Sequence, residues 1–200
     1  FLGSDVSFGF DLFGNEQDNS DTSSYTNSEV GLGFRFGLPL SDDTRLNTRA
    51  KFTRNEVYGV ASNASAALKQ LEGNRNIGEL GYTLSYSSLD NPMIPSSGVS
   101  LNLSQDFSGG DVSNFSTVFS GKYYHDFDRD LIGSLHMNVG HIFSLNSKDI
   151  LISDSFMDPG PLLKGFASRG ISPRLHPNYT NSKEEAIGGN TYFSGKAELN

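Results

Sequence analysis

The sequence alternates apolar and polar residues over stretches long enough to constrain the fold before any motif is considered. In the segment SEVGLGFRFGLPL, every second residue from Val30 to Leu38 is apolar, and the residues between them are Gly or Arg. Successive side chains of a β-strand point to opposite faces of its sheet, so this period predicts a strand with one apolar and one polar face. The alternation lasts for most of the roughly 9–11 residues that a strand needs to cross a lipid bilayer.

The same period recurs along the chain and predicts about eight strands. It is clear in TRLNTRAKFTR, GELGYTLSYSSL, GVSLNLSQDF and LIGSLHMNVGHIF, and it is weaker near residues 5–13 and 115–127. Short connections rich in Asp, Pro and Ser alternate with longer ones, namely GNEQDNSDTSSYTN, VASNASAALKQLEGNRN, SGGDVSN and residues 144–185. One plain rim and one rim with loops are typical of an up-and-down barrel. The pattern therefore predicts an all-β, antiparallel, transmembrane β-barrel.

Composition narrows the classes of protein that remain. The 15 Lys and Arg against 23 Asp and Glu give a net charge of −8, which argues against nucleic acid as a partner. The chain has no Cys, so disulfide frameworks and thiolate metal sites are excluded. No run approaches the 18 apolar residues of a membrane-spanning helix. Residues 1–4 lead directly into the alternation without a signal-peptide pattern, which indicates a sequence that begins inside a domain.

The motifs that could carry chemistry do not fit their templates. DFDRDLIG resembles the start of a calcium loop, but its sixth position is Leu131 and its twelfth is Met137, where Gly and Glu are required. GLGFRFG is not followed by a helix, so it forms no phosphate cradle, and its glycines are better explained as making room on the polar face of a strand. The four histidines lack metal-ligand spacing. We therefore expect no cofactor, no metal and no enzymatic activity.

The segment LLKGFASRGISPR, residues 162–174, departs from the alternation. It places Leu162, Leu163, Phe166 and Ile171 around three cations and two glycines. A loop exposed to water has little reason to carry so many apolar side chains, whereas a loop folded back into a barrel lumen would bury them. The segment thus predicts a long loop that folds inward.

Three ordered motifs resemble those of the BamA-type outer-membrane assembly factors, the β-barrel insertase family that includes mitochondrial and chloroplast relatives. In that family a long loop re-enters the barrel and carries Val-Arg-Gly-Phe/Tyr, followed by Ile-Gly-Pro-Arg/Lys. The matching residues are Leu163, Lys164, Gly165 and Phe166, and then Ile171, Ser172, Pro173 and Arg174. IGGNTYFSGKAELN, at 187–200, is similar to the strand after the loop, and YTLSYSSLDNPMIPSSGVSLNLS, at 82–104, is similar to a strand, turn and strand of the family.

The resemblance implies an architecture. Family barrels have about sixteen strands, so residues 1–200 would form part of one outer-membrane barrel domain, from roughly the fifth strand to the twelfth. The re-entrant loop would span about 144–187, and the periplasmic POTRA domains would be absent from this chain. Lys164 would form the loop tip with Gly165 and Phe166, and Glu198 would be its partner on the barrel wall. Lys164 replaces the motif's Arg and lacks the planar fork that binds a carboxylate bidentately.

The function implied by the resemblance is folding and insertion of other β-barrel proteins into the bacterial outer membrane, without nucleotide. Implied partners are unfolded outer-membrane proteins, outer-membrane lipid and accessory lipoproteins. Two other classes remain open. A secretion pore or passive porin would show the same alternation, and electrical conductance would distinguish it. A soluble β-sandwich adhesin would also alternate, but its outer face should be polar.

Overall fold

The computed structural model describes residues 6–18, 26–60, 62, 69–128, 131–146, 150–157, 170–175 and 185–200, without the side chains of residues 17, 18, 128, 174, 175 and 185. Its strands, in chain order, are β1 (Ser7–Asp18), β2 (Thr26–Pro39), β3 (Thr44–Tyr58), β4 (Gly73–Ser87), β5 (Gly98–Gly110), β6 (Asn114–Asp128), β7 (Leu131–Ser144), β8 (Arg174–Leu175), β9 (Glu185–Ala186) and β10 (Thr191–Leu199). Among these residues, no helix has the length and apolar character needed to span a membrane.

Eight strands form one antiparallel sheet in the order β1-β2-β3-β4-β5-β6-β7-β10. Each strand pairs with its neighbour in sequence, except that β10 follows β7 across the long loop, from which the short β8–β9 pair is built. β1 and β10 are the two edges of the sheet. The predicted all-β, up-and-down architecture of about eight strands is confirmed, and an open sheet is consistent with part of a larger barrel.

One side of the sheet, here called the apolar face, carries the residues that the alternation had assigned to it. Phe34, Phe52, Leu80 and Phe193 belong to this face, with exposed fractions between 39% and 68%. Rings also pair across strands on it, such as Phe10 with Phe34, whose centroids lie 5.3 Å apart. Large apolar side chains exposed on strand after strand contradict a soluble sandwich with a polar outer face.

The opposite side, here called the polar face, carries Gly, Ser, Thr, Asn and charged residues. Gly31 lies beneath the ring of Phe13 on β1, and an added Cβ would come within 2.5 Å of that ring and 2.7 Å of the Phe52 carbonyl oxygen. The glycine therefore makes room for a cross-strand side chain. The interpretation of the GLGFRFG glycines as space-making residues on a strand is confirmed at this position.

The connections differ from the predicted rhythm. β1 continues to Asp18, into the segment assigned to a long loop, and only Asp111–Ser113 separate β5 from β6. That tight connection depends on Gly110, whose φ of 108° lies in the left-handed region, and on Asp111, whose carboxylate accepts a 2.7 Å hydrogen bond from the Asn76 N–H. The expectation that SGGDVSN forms one of the long loops is wrong.

Candidate functional site

The loop between β7 and β10 lies against the polar face. The ring of Phe156, in the loop, meets the ring of Tyr192 on β10 edge-on, with 4.7 Å between the centroids. Tyr192 fits because its cross-strand partner is Gly140, where an added Cβ would lie 2.1 Å from the tyrosine ring. The sequence of β7 thus leaves a space that Tyr192 fills, and Tyr192 in turn supports the loop.

A second contact holds the loop over β3 and the connection after it. Leu151 and Ile152 pack on Val57 and Leu71, the only buried apolar cluster found among the described residues. Beside them, a cavity of about 270 Å³ separates the polar face from the loop and is lined on the loop side by Leu151, Ser153 and Asp154. Burial of these apolar side chains stabilises the loop against the polar face of the sheet.

Asp154 connects the loop to β6. Its carboxylate accepts hydrogen bonds from Asn114 Nδ2 at 2.8 Å and from Ser153 Oγ at 3.1 Å. Burial raises the pKa of Asp154 above its ordinary value, while the two hydrogen bonds and the charge of Arg75 lower it to a smaller extent. The charged form is therefore held in a partly desolvated position, and its ionisation opposes the docking of the loop.

The returning part of the loop is joined to the segment that precedes β10. Gly188 N–H donates to Ser172 Oγ at 2.9 Å, and Ile187 N–H donates to the Pro173 carbonyl at 2.8 Å. The structure thus brings together the motif at residues 171–174 and the motif at residues 187–190. Ser172, which stands where the family motif has Gly, is buried and supplies a hydrogen-bond acceptor that glycine lacks.

The outgoing part of the loop is joined to the same segment. Phe156 and Gly189 exchange two backbone hydrogen bonds of 3.0 and 2.9 Å. Gly188 has a φ of 71°, and an added Cβ there would lie 2.7 Å from the Cβ of Ser155. Glycine is therefore required at this position both by conformation and by space. The two ends of the loop are fastened to each other at the wall of the sheet.

The other predicted loop residues are placed only in part. Leu163, Lys164, Gly165 and Phe166 lie outside the described residues. Ile171 is 40% exposed, and the backbone of Arg174 pairs with Ala186 in the β8–β9 hairpin. The proposed roles of these residues remain predictions.

Glu198 lies on the polar face of β10. It forms an ion pair with Lys196 of the same strand. A pair between Lys164 and Glu198 remains a prediction.

Ion pairs between neighbouring strands neutralise cations on the polar face. Arg35 binds Asp11 at 2.9 Å, and Lys51 binds Glu29 at 2.9 Å. The acidic partners lie on neighbouring strands and were visible in the sequence as carboxylates at polar positions. Their pairing depends on the register between strands, which the sequence alone did not give.

Arg49 and Asp106 form a third pair, which reaches across a whole strand. Arg49 in β3 and Asp106 in β5 are both cross-strand partners of Gly81 in β4. An added Cβ at Gly81 would lie 3.0 Å from Arg49 Nε and nearer still to Asp106. Arg49 also donates to Thr83 Oγ1 at 2.9 Å and to Ser104 Oγ at 2.8 Å. The missing side chain at Gly81 is what allows the two charges to meet.

No group of three or more His, Asp or Glu side chains suited to a metal ion occurs in the part of the chain that the structure describes. The described site thus consists of the polar face of the sheet, a loop fastened against it, and charges paired along it.

Known proteins resemble the chain in both sequence and structure. It is 25% identical over 197 residues to the outer membrane protein assembly factor BamA of Neorickettsia risticii, covering 97% of this chain and 26% of that protein. It is 24% identical over 176 residues to the BamA of Nitratidesulfovibrio vulgaris, covering 85% of this chain and 22% of that protein. It is 26% identical over 148 residues to the sorting and assembly machinery component 50 homolog of Xenopus tropicalis, covering 72% of this chain and 30% of that protein. The chain thus spans about a quarter of the length of the curated relatives it matches.

Among solved structures, the chain is similar to the crystal structure of BamA from Haemophilus ducreyi lacking POTRA domains 1–3. The TM-score is 0.79 at 19% identity, over 97% of this chain and 41% of that one, which confirms the fold. The names of the bacterial relatives confirm the expected location in a bacterial outer membrane. The family model of the Omp85 superfamily domain matches residues 1–200. Because this match extends over the whole sequence, the chain belongs to the Omp85 superfamily.

Proposed function

We propose that the protein containing this chain folds and inserts β-barrel proteins into the bacterial outer membrane, without nucleotide and without acting as an enzyme. The names of its relatives, assembly factors of the bacterial outer membrane and components of a sorting and assembly machinery, support this proposal. The partners would be unfolded outer-membrane proteins, outer-membrane lipid and accessory lipoproteins. We expect POTRA domains elsewhere in the full-length protein.

The observation that carries the proposal is the position of the loop after β7. A passive porin needs an open, water-filled lumen, whereas here Phe156 packs on Tyr192 and Leu151 packs on Val57, on the side of the sheet that faces the lumen in a barrel. A loop fastened there narrows the path that a solute would take. The assembly role is therefore favoured over a passive pore.

The proposed mechanism uses the physics of sheet edges. An unpaired strand edge presents a row of N–H and C=O groups that can template a strand of another chain. In this proposal the templating edge belongs to strands outside this chain, and residues 1–200 supply the rigid back wall and the loop. The work would be mechanical, since backbone hydrogen bonds formed with the substrate replace those that it lacks in the membrane.

The test uses the full-length protein in liposomes with an unfolded outer-membrane protein and no nucleotide. Folding is followed by the altered gel mobility of the folded barrel before heating. We expect faster folding than in liposomes alone. Unchanged folding together with a steady single-channel conductance would contradict the proposal and identify a porin or secretion pore.

Two neighbouring glycines give a matched pair of variants for the loop. Gly188→Ala should displace the loop, because its φ of 71° and the 2.7 Å approach to Ser155 leave no place for a side chain. Gly189→Ala should be tolerated, because the atom nearest to its added Cβ is 3.5 Å away. If the loop takes part in assembly, only Gly188→Ala slows folding of the substrate and raises the conductance.

A further inference from the structure

Three basic side chains lie in one row across the polar face of β6, β7 and β10. Lys122 of β6 is the cross-strand partner of His136 in β7, and Lys196 of β10 is the partner of His136 on its other side. The ring of Tyr124 meets the imidazole of His136 edge-on, with centroids 5.6 Å apart. Directly opposed residues on one face of a sheet have Cβ atoms roughly 4.5–5.5 Å apart, so these three side chains share one patch of the wall.

The patch carries excess positive charge. Glu198 pairs with Lys196, which leaves the charge of Lys122. Asp126 is on the same face as Lys122 but four residues further along β6, roughly 13 Å away. No ion pair joins Lys122 to a carboxylate within the described residues. Arg35, Arg49 and Lys51, by contrast, each contact an acidic side chain of another strand.

His136 adds an independent sign of a missing partner. Its Nε2 atom is buried and has no hydrogen-bond partner among the described residues. Lys122 and Lys196 flank this imidazole as its direct cross-strand partners on the two neighbouring strands. A buried polar atom is normally hydrogen-bonded, and the exposed Lys122 beside it has no carboxylate partner among the described residues. An oxyanion with two acceptor atoms satisfies both requirements.

We propose that Lys122, His136 and Lys196 form a binding site for the carboxylate of a peptide side chain. Each base can donate to a carboxylate oxygen, and Tyr124 closes one side of the patch. The carboxylate can come from this chain's own loop, whose acidic residues besides the hydrogen-bonded Asp154 are Asp149, Asp158, Glu184 and Glu185, or from a second polypeptide in the lumen. The site requires the barrel fold and not the assembly activity, so it can be tested apart from the proposed function.

The test is zero-length coupling with a carbodiimide, which joins a lysine amine to a carboxylate in direct contact. The full-length protein is treated in outer-membrane vesicles, and the joined peptides are identified by mass spectrometry. Lys51 with Glu29, 2.9 Å apart, provides the internal positive control. We expect Lys122 to be joined to a carboxylate outside the strands of the sheet. A partner among Asp149, Asp158, Glu184 and Glu185 places the loop in the site, and a peptide of another protein places a second polypeptide there.

Variants make the outcome decisive. Lys122→Arg keeps the charge and removes the reactive amine, so its product should vanish while the barrel unfolds at the same temperature. His136→Leu should lower the yield of the Lys122 product roughly tenfold, because the carboxylate loses a hydrogen-bond donor. The proposal is overturned if the Lys51 and Glu29 control is joined while Lys122 remains a free amine that reacts fully with an acetylating reagent.

Discussion

Lys196 and Glu198 lie two positions apart on the polar side of β10 and form an ion pair there. The carboxylate assigned to the loop tip therefore already has a cation on its own strand. A second cation from Lys164 would share Glu198 rather than neutralise it alone. This competition makes the strength of any Lys164 contact depend on Lys196.

The first prediction is a double-mutant cycle on Lys164 and Glu198 in the full-length protein. Lys164→Glu should place like charges together and lower both barrel stability and substrate insertion, and combining it with Glu198→Lys should restore part of the loss. Lys164→Arg should be tolerated or improved, since it restores the fork of the family motif. Lys196→Gln removes the cation that competes for Glu198, so it should increase the coupling energy between Lys164 and Glu198. A coupling energy of zero in both backgrounds would mean that the loop is anchored elsewhere.

The second prediction concerns the apolar face. Phe34 is 39% exposed on this face, and Phe34→Arg should lower the free energy of unfolding in a lipid bilayer by roughly 2–4 kcal/mol. Gly33→Ser, on the polar face, should have a much smaller effect, because the atoms nearest to its added Cβ are 3.8 Å or more away. Equal losses at the two positions would contradict the assignment of the faces.

The third prediction tests the charge pair over β4. Gly81→Ala should separate Arg49 from Asp106 and lower the free energy of unfolding by roughly 1.5–3 kcal/mol, the range for hydrogen bonds to charged groups. Gly78→Ala on the same strand is the matched control, because the only atom near its added Cβ is 4.0 Å away. Chemical denaturation of the refolded barrel measures both. A loss at Gly78 as large as that at Gly81 would point to strand propensity instead.

The fourth prediction concerns the accessibility of the loop. A protease added to intact cells should spare Lys164 and Arg169 but cut near residues 17–24, a polar segment that begins at the end of β1. Gly188→Ala should make the loop sites cleavable, because it breaks the fastening of the two loop ends. Rapid cleavage at Lys164 in the unmodified protein would indicate an outward loop.

The fifth prediction is a pH dependence centred on Asp154. Because burial raises its pKa in the folded state, its contribution to stability is fully present below the ordinary carboxyl pKa of 3.8 and is lost as the pH rises through the raised value. Asp154→Asn should remove this loss and stabilise the docked loop at neutral pH. Thermal unfolding of both proteins across this range measures the difference. An unchanged pH profile would show that Asp154 ionises without affecting the loop.

Asp90 should affect stability with the opposite dependence on pH, because its pKa is lowered in the folded state. Hydrogen bonds from Ser96, and then from the Ser97 backbone, lower its pKa to about 2. Its contribution is therefore present above the ordinary value and is lost as the pH falls toward 2. Comparison with Asp90→Asn separates the two effects.

The sequence predicted the strands and faces well, because alternation is a local property. Val30 and Phe34 could be assigned to one face without knowledge of any other strand. The pair of Arg49 and Asp106 could not be predicted, since it depends on the register of three strands and on the absence of a side chain at Gly81. The connection at Asp111–Ser113 was assigned to a long loop because its flanking Gly and Ser have low strand propensity, which pairing with neighbouring strands overrides.

The sequence predicted that the long loop folds inward, but it did not predict the contacts of the loop. Phe156 and Leu151 of the loop contact the polar face. Of the four apolar side chains on which the inward position was predicted, only Ile171 is described, and it is 40% exposed. The hydrogen bond from Gly188 to Ser172 joins residues 16 positions apart, and only the fold brings them together. Sequence motifs could identify both segments without showing that they touch.

The contact over Gly81 also bears on how the wall yields to force. Antiparallel hairpins are the natural units in which a sheet comes apart, but Arg49 and Asp106 join β3 directly to β5 and so cross the boundary of each hairpin that contains β4. A pull on β4 alone leaves this cross-link intact, and a pull on the β4–β5 hairpin must break it. Separating β3 from the β4–β5 hairpin therefore has to break this ion pair in addition to the backbone ladder between β3 and β4.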